Sequence, residues 1–192
     1  MLYHQTLKLS YHQWLLVAVL ITTLLMPALV SAGAGGTNIV RVNNLVDHAF
    51  RFNGSIELGQ AYGGTAAPYN LAEASTSSCA DCDSLAVALQ ISLVSNKASR
   101  INVQNVAKAV NSNCTRCTTV ARALQYVFIV DDPKEVRPDI SALIKAMDRE
   151  FRAIHSDRSI TLGEAEARIN SVIRQYSSLA NNLYARRSVD RD

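Results

Sequence analysis

The sequence predicts a mainly all-α protein, and three observations support that prediction. A stretch of 25 residues occurs twice, 35 residues apart, at 70–94 and 105–129, with a Cys-x-x-Cys at the same place in both copies. After its cysteines, each copy continues as a nearly all-apolar run of 13 residues, which is typical of a buried helix. The last third of the chain repeats apolar residues at helical spacing. The duplication therefore predicts two similar helical units packed on each other.

Residues 1–32 have the pattern of an export signal. Lys8 is the only full charge before an apolar or hydroxyl run at 14–26, and small residues follow at 30–32, where a signal peptidase cleaves. The alternative is an uncleaved anchor formed by residues 14–30, although such a helix is about 25 Å long and a bilayer core is about 30 Å thick. In both cases we expect the remaining chain outside the cytoplasm, either secreted or in the cell envelope.

The charge pattern argues against nucleic acid as a partner. Without Lys8 the chain has 18 Lys and Arg against 16 Asp and Glu, and the two signs are interleaved. A nucleic-acid interface requires a basic stripe, which this pattern does not provide. We expect membrane contact only through an uncleaved N-terminal segment.

After the signal, composition divides the chain into three parts. Residues 33–66 are predicted to be irregular or extended, with short strands at 39–42 and 50–52 that could form one β-hairpin. Residues 67–132 are the repeat core, in which each copy is predicted to contain a short helix, a polar turn with the CxxC, and a second, buried helix. Those buried helices are predicted at 83–95 and 118–130. Gln90 and Gln125 interrupt them at matched positions and are expected to be satisfied by the backbone or by each other.

Residues 133–192 are predicted to form an antiparallel helical hairpin. The first amphipathic helix covers 139–154, and the second runs from a capping box at Thr161 and Glu164 to about residue 186. The second helix is longer, so its end is a candidate surface for a protein partner or a second subunit, the alternative being that it packs on the core. The residues of this surface are Tyr176, Leu179, Leu183 and Tyr184.

The candidate site consists of Cys79, Cys82, Cys114 and Cys117, which are the only cysteines in the chain. Structural disulfides are the preferred interpretation because exported dithiols become oxidised. A zinc site with four thiolates and a redox-active or sensing dithiol stay open as alternatives. Bridges within each CxxC would stabilise by about 2 kcal/mol each and a bridge between the copies by about 4 kcal/mol. Both connectivities are open, with a slight preference for the bridge between copies.

The doubled CxxC pattern resembles a group of uncharacterised exported bacterial proteins. These carry paired CxxC-x-[ST]-[VL]-A-x-A-x-Q segments followed by a charged helical tail, and the resemblance covers about residues 37–190. Their automated name is often that of a peptide zinc metalloprotease, but the resemblance brings no established activity. Zinc peptidases use an HExxH pair, whereas His48 is followed by Ala49 and His155 by Ser156. We therefore reject peptidase activity for this chain.

No other catalytic pattern is apparent in the sequence, so the chain is predicted not to be an enzyme and to need no cofactor. The leading prediction is an exported structural or interaction protein, whose cysteine-braced helical core presents the C-terminal helices to a protein partner or to a second copy. The first alternative is a thiol–disulfide redox or sensing protein that uses a CxxC pair. The second alternative is a structural module with a four-cysteine zinc site.

Overall fold

The computed structural model describes residues 34–136 and 138–189, so the predicted export signal lies outside the described residues. The predicted all-α fold class is wrong. The described chain is mainly β, with eight strands followed by two helices. The strands are β1 Thr37–Asn44, β2 Phe50–Ala61, β3 Gly64–Ala66, β4 Tyr69–Ser77, β5 Asp83–Ser95, β6 Ala98–Ile101, β7 Gln104–Ser112 and β8 Thr118–Val130.

The strands form three stacked coils of a parallel β-solenoid. Coil 1 contains β1–β3, coil 2 contains β4–β6, and coil 3 contains β7 and β8. Equivalent strands of successive coils pair in parallel, which gives the sheets β1-β4-β7, β2-β5-β8 and β3-β6. The 35-residue repeat is also the register of the upper two coils, so Asn70 pairs with Asn105 and Gln90 with Gln125. Each sequence copy is therefore one coil, stacked on its twin rather than packed as a helical pair.

Small side chains fill the interior between the sheets β1-β4-β7 and β2-β5-β8. Alanines from β4 and β5 are fully buried there, in the same cluster as valines from β1. Polar side chains stack beside them: Asn38 donates to Asn70 at 3.0 Å, and Asn70 donates to Asn105 at 2.9 Å. Such ladders satisfy buried amides, whose isolation would cost about 1–3 kcal/mol each. Gln125 Nε2 likewise donates to Gln90 Oε1 at 2.5 Å, so the two amides are satisfied by each other only in part: Gln90 Nε2 and Gln125 Oε1 are buried without a hydrogen-bond partner among the described residues.

The outer face of the sheet β2-β5-β8 is covered by two helices. Helix α1 spans Pro138–Ser156 and α2 spans Leu162–Val189, close to the two amphipathic helices predicted from sequence. They bury an apolar layer against Leu85, Val87 and Leu89 of β5. The capping box is formed as predicted, since the Thr161 N–H donates to the Glu164 carboxylate at 2.9 Å. Neither described helix is long and apolar enough to cross a bilayer.

Strand β5 explains why the buried segments were predicted to be helices. Its large residues, such as Leu85 and Leu89, face the helices, while its small residues, such as Ala86 and Ala88, face the solenoid interior. A strand covered on both faces has a continuous apolar sequence without alternation. At 13 residues it also exceeds the usual strand length, so its pattern matches that of a buried helix.

The N-terminal hairpin is also wrong, although both of its strands exist. β1 and β2 do not pair with each other; β1 pairs with β4, and β2 pairs with β5. The five residues between them form a corner of the coil rather than a hairpin turn. The short helices predicted to open each sequence copy are strands β4 and β7.

Candidate functional sites: the cysteine corner and the open end

The cysteines lie at one corner of the solenoid, where β4 turns into β5 and β7 turns into β8. We call residues 78–82 and 113–117 the cysteine corner. The two turns stack on each other: the Asp81 N–H donates to the Thr115 carbonyl at 2.9 Å, and the Thr115 N–H donates to the Cys79 carbonyl at 3.2 Å. Asp81 and Arg116 both have positive φ angles, near 50°, although neither is glycine. The same strained turn is therefore repeated in successive coils, which keeps the cysteines in register.

Each CxxC forms its own disulfide, Cys79–Cys82 and Cys114–Cys117. The bridge between copies that we slightly preferred is therefore not the pairing in the structure. All four Sγ atoms nevertheless lie within 4.8 Å of one another. Between coils, the Sγ atom of Cys82 is 3.5 Å from that of Cys114 and 2.9 Å from that of Cys117. Stacking thus gathers four sulfurs into one cluster, with Cys79 and Cys82 buried.

A ladder of charges borders the cysteine corner. The Arg116 guanidinium donates two hydrogen bonds of 2.6 Å to the Asp81 carboxylate, and His48 Nδ1 lies 3.4 Å from that carboxylate. The hydrogen bond from Arg116 lowers the pKa of Asp81, and Asp81 raises the pKa of Arg116 in return. The ladder therefore consists of His48 in coil 1, Asp81 in coil 2 and Arg116 in coil 3.

A second charge ladder runs along the outer face of the sheet β1-β4-β7. Glu73 of coil 2 lies 3.0 Å from Lys108 of coil 3 and 3.0 Å from Arg41 of coil 1. The hydrogen bond from Lys108 is the largest cause of the lowered pKa of Glu73, followed by the hydrogen bond from Arg41. Coil 2 thus supplies the acid in both ladders, and coil 3 supplies an exposed base in both.

The two ends of the solenoid differ in exposure. At the coil 1 end, the interior side chains of Asn38 and Val40 are 3% and 1% exposed. At the coil 3 end, the same interior positions on β7 are exposed, and so is every other residue of that strand. β7 is the edge of its sheet, and β8 is the edge of the neighbouring one. Among the described residues, no strand pairs with β7 on the side away from β4, and we call this edge of β7 the open end.

The predicted surface on the second C-terminal helix is not assembled as expected. Tyr176 is fully buried, and its hydroxyl donates to the backbone carbonyls of Gln90 and Leu124. Leu179 is also buried, so these two residues belong to the core between α2 and the sheet. The side chains of Leu183 and Tyr184 lie outside the described part of the structure. The alternative interpretation, packing on the core, applies to Tyr176 and Leu179.

Sequence reasoning missed the open end and the two charge ladders. The available signal was the identity of the interior residues at a period of 35, above all Asn70 with Asn105. Identical polar residues in register are typical of parallel coils, because each amide can donate to the one above it. The charges at 73 and 108, and at 81 and 116, alternate in sign at the same period.

Comparison with protein-family models, with curated proteins and with solved structures finds no match for this chain. The interpretation of the cysteine corner and of the open end therefore depends on their own geometry.

Proposed function

We propose that the protein is an exported interaction protein that binds a β-strand segment of a protein partner at the open end. The observation that carries the proposal is the exposure of β7 at positions that are buried one coil below. The export signal pattern at 1–32 and the disulfides support a place outside the cytoplasm. An extended partner chain would add one more strand to the sheet β1-β4-β7.

The repeat indicates which residue pattern the partner's strand should have. Coil 3 rests on coil 2 through the Asn70–Asn105 bond, and its exposed strand β7 repeats Asn70, Ala72 and Ala74 of β4 as Asn105, Ala107 and Ala109. Gln104 N–H points toward coil 2, since it donates to the Pro68 carbonyl at 3.0 Å. Strand alternation then places the N–H groups of Asn105, Ala107 and Ala109 on the free edge. A segment with the residue pattern of a coil would match this edge.

The exposed charges on coil 3 determine which of the segments with that residue pattern bind well. Lys108 and Arg116 are exposed on coil 3, with side chains 59% and 70% accessible. Within the solenoid, each of these bases faces an acid of coil 2, so the matching partner carries acids at the same two positions. A second copy stacked on the open end through its coil 1 would instead bring Arg41 and His48 against them. Like charges directly opposite each other on neighbouring strands are unfavourable, so we favour a different, acidic partner.

The test uses a peptide with the sequence of residues 67–101 as the probe and the full-length protein as its target. This peptide carries Glu73 and Asp81, the two acids that face coil 3 within the solenoid. We expect saturable binding of one peptide per chain in titration calorimetry, weakened by salt because exposed ion pairs are screened. The matched control is the same peptide with Glu73→Lys and Asp81→Arg, which should bind about tenfold more weakly.

Two protein variants assign the binding to the open end. The double variant Lys108→Gln/Arg116→Gln should bind both peptides alike, because the charges that distinguish them are gone. Ala109→Pro removes an N–H from the free edge without removing a bond to coil 2, so it should abolish binding; Ala109→Ser keeps that N–H and should retain binding. Equal affinity of the wild-type protein for both peptides would contradict the charge argument. Filaments or dimers that disappear in Ala109→Pro would identify a second copy as the occupant and overturn the proposal.

A further inference from the structure

The sulfur cluster has the arrangement of a metal site as well as that of two disulfides. Its four Sγ atoms lie within 4.8 Å of one another, and it is the only such group of His, Cys, Asp or Glu among residues 34–136 and 138–189. A zinc ion bound by four thiolates at about 2.3 Å requires sulfurs about 3.8 Å apart. Between the coils, the Sγ–Sγ distances of 3.9 Å for Cys79–Cys114 and 3.5 Å for Cys82–Cys114 are close to this value, and that of 2.9 Å for Cys82–Cys117 is shorter, so zinc binding requires this last pair to separate.

We infer that the reduced cysteine corner binds one Zn²⁺ between coils 2 and 3, with two thiolates from each coil. Parallel stacking supplies the donors in pairs, because each CxxC repeats at the same place in the next coil. The Cα atoms within each pair are 6.1 Å and 6.0 Å apart, so opening the two disulfides lets the sulfurs separate without moving the strands. Soft thiolates in a four-sulfur set favour zinc among the common divalent metals. This inference does not depend on the proposed function.

The change of state is a balanced reaction. A dithiol reductant gives two electrons and two protons to each disulfide and becomes a disulfide itself, so two reductant molecules yield four thiols. The four thiols lose four protons when they bind Zn²⁺, which leaves a complex with a net charge of −2. The four protons pass to the solvent, and the guanidinium of Arg116, adjacent to Cys117 in the chain, supplies a positive charge in the same corner.

The two states hold the coils together in different ways. In the disulfide state each bridge closes within one coil, so no covalent link at the corner joins coil 3 to coil 2. In the zinc state the ion joins Cys79 and Cys82 to Cys114 and Cys117. Zinc would therefore attach the last coil to the one below it, which the disulfides do not.

The experiment uses the full-length protein, reduced with a dithiol under nitrogen and freed of reductant. Co²⁺ is titrated first, and Zn²⁺ is then added to displace it. We expect one Co²⁺ per chain with the visible absorption of tetrahedral thiolate-bound cobalt, and displacement by one equivalent of Zn²⁺. X-ray absorption of the zinc form should show four sulfur neighbours at about 2.3 Å, and the circular dichroism of the strands should be retained.

Serine substitutions identify the ligands. Cys82→Ser and Cys117→Ser should each lose the four-sulfur cobalt spectrum, and Ser78→Ala, in the same corner, should keep it. The zinc neighbours seen by X-ray absorption are measured on the wild-type protein, so the inference stays testable if a serine variant does not fold. A folded, reduced protein that binds no metal would overturn it. Two metals per chain, a metal shared between two chains, or nitrogen and oxygen neighbours would also overturn it.

Discussion

The Nδ2 atom of Asn70 donates a hydrogen bond of 2.9 Å to Oδ1 of Asn105, one full repeat later in the chain. The same nitrogen lies 3.0 Å from the Ala88 carbonyl and 3.1 Å from the Leu124 carbonyl, and Oδ1 of Asn70 accepts from Asn38 at 3.0 Å. One fully buried amide thus joins all three coils and both large sheets. It is the most connected polar side chain of the solenoid interior within the described residues.

Asn70→Ala should lower the free energy of unfolding by about 2–3 kcal/mol, because it leaves Asn38 and buried carbonyls without a partner. The matched control is Asn105→Ala, at the equivalent position of the exposed coil 3, where water replaces the lost bonds. We expect that control to cost less than about 1 kcal/mol. Urea unfolding of the two variants measures the difference, and equal losses would contradict the proposed role of burial.

Tyr176→Phe should cost about 1–2 kcal/mol, since the fully buried hydroxyl donates to the carbonyls of Gln90 and Leu124. The ring keeps its place beside Tyr126, 5.2 Å away between centroids, so packing is unchanged. Tyr62→Phe removes a hydroxyl that bonds only at the surface, to Gln60, and should have almost no effect. Thermal unfolding of the two variants distinguishes a buried from an exposed hydroxyl.

Gly59→Ala should be strongly destabilising, by about 2–3 kcal/mol, because a Cβ atom there would lie 1.9 Å from the Gly35 carbonyl oxygen. This obstacle is backbone, which cannot rotate away as a side chain can. Gly63→Ala, in the same part of coil 1, meets no atom within 4 Å and should be tolerated. A comparison of soluble yield and urea midpoint tests the pair, and an unaffected Gly59→Ala variant would show that coil 1 is less tightly closed than described.

Glu57 gives the protein a pH dependence of known sign. Burial raises the pKa of this carboxyl above its ordinary value of 4.5, against a smaller opposing effect of a backbone hydrogen bond from Thr37. The folded state then holds the proton more tightly than the unfolded state, so stability falls as pH rises from about 4.5 through the raised value. Glu57→Gln should remove this loss and be more stable than wild type at pH 7, with the difference shrinking toward pH 4. Urea unfolding at several pH values measures it.

The sequence contained the repeat, the cysteine spacing and the C-terminal helices, but not the strands. The two helices could be predicted because each has one apolar stripe, including Met147 and Phe151 on α1, and a capping box at Thr161. Strands β5 and β8 could not be separated from buried helices by periodicity, since both have apolar sequences without a regular polar alternation. The repeat length of 35 residues is shared by helical and β-solenoid arrays, so length alone did not decide between them.

The candidate sites could also be predicted only in part. The four cysteines were named as the candidate site, and the structure places their Sγ atoms within 4.8 Å of one another. Their pairing within each CxxC occurs in a turn with positive φ at Asp81 and Arg116, and positive φ is uncommon for residues other than glycine, so the turn was not predicted. Tyr176 was placed on an overhang because the length of the second helix was compared with that of the first, whereas Tyr176 and Leu179 are buried in the core between α2 and the sheet.

The segment after β8 contacts coil 1, and these contacts affect how the protein unfolds. In a simple solenoid each coil contacts only its neighbours, so coils separate one at a time from a free end. Here the Pro133 carbonyl accepts from Gln60 of coil 1, and His155 lies 2.7 Å from the Phe52 carbonyl. Further on, Arg122 of coil 3 donates to Glu166 of α2. Loss of coil 3 therefore loosens the helices that also hold coil 1, which makes unfolding cooperative across the whole array.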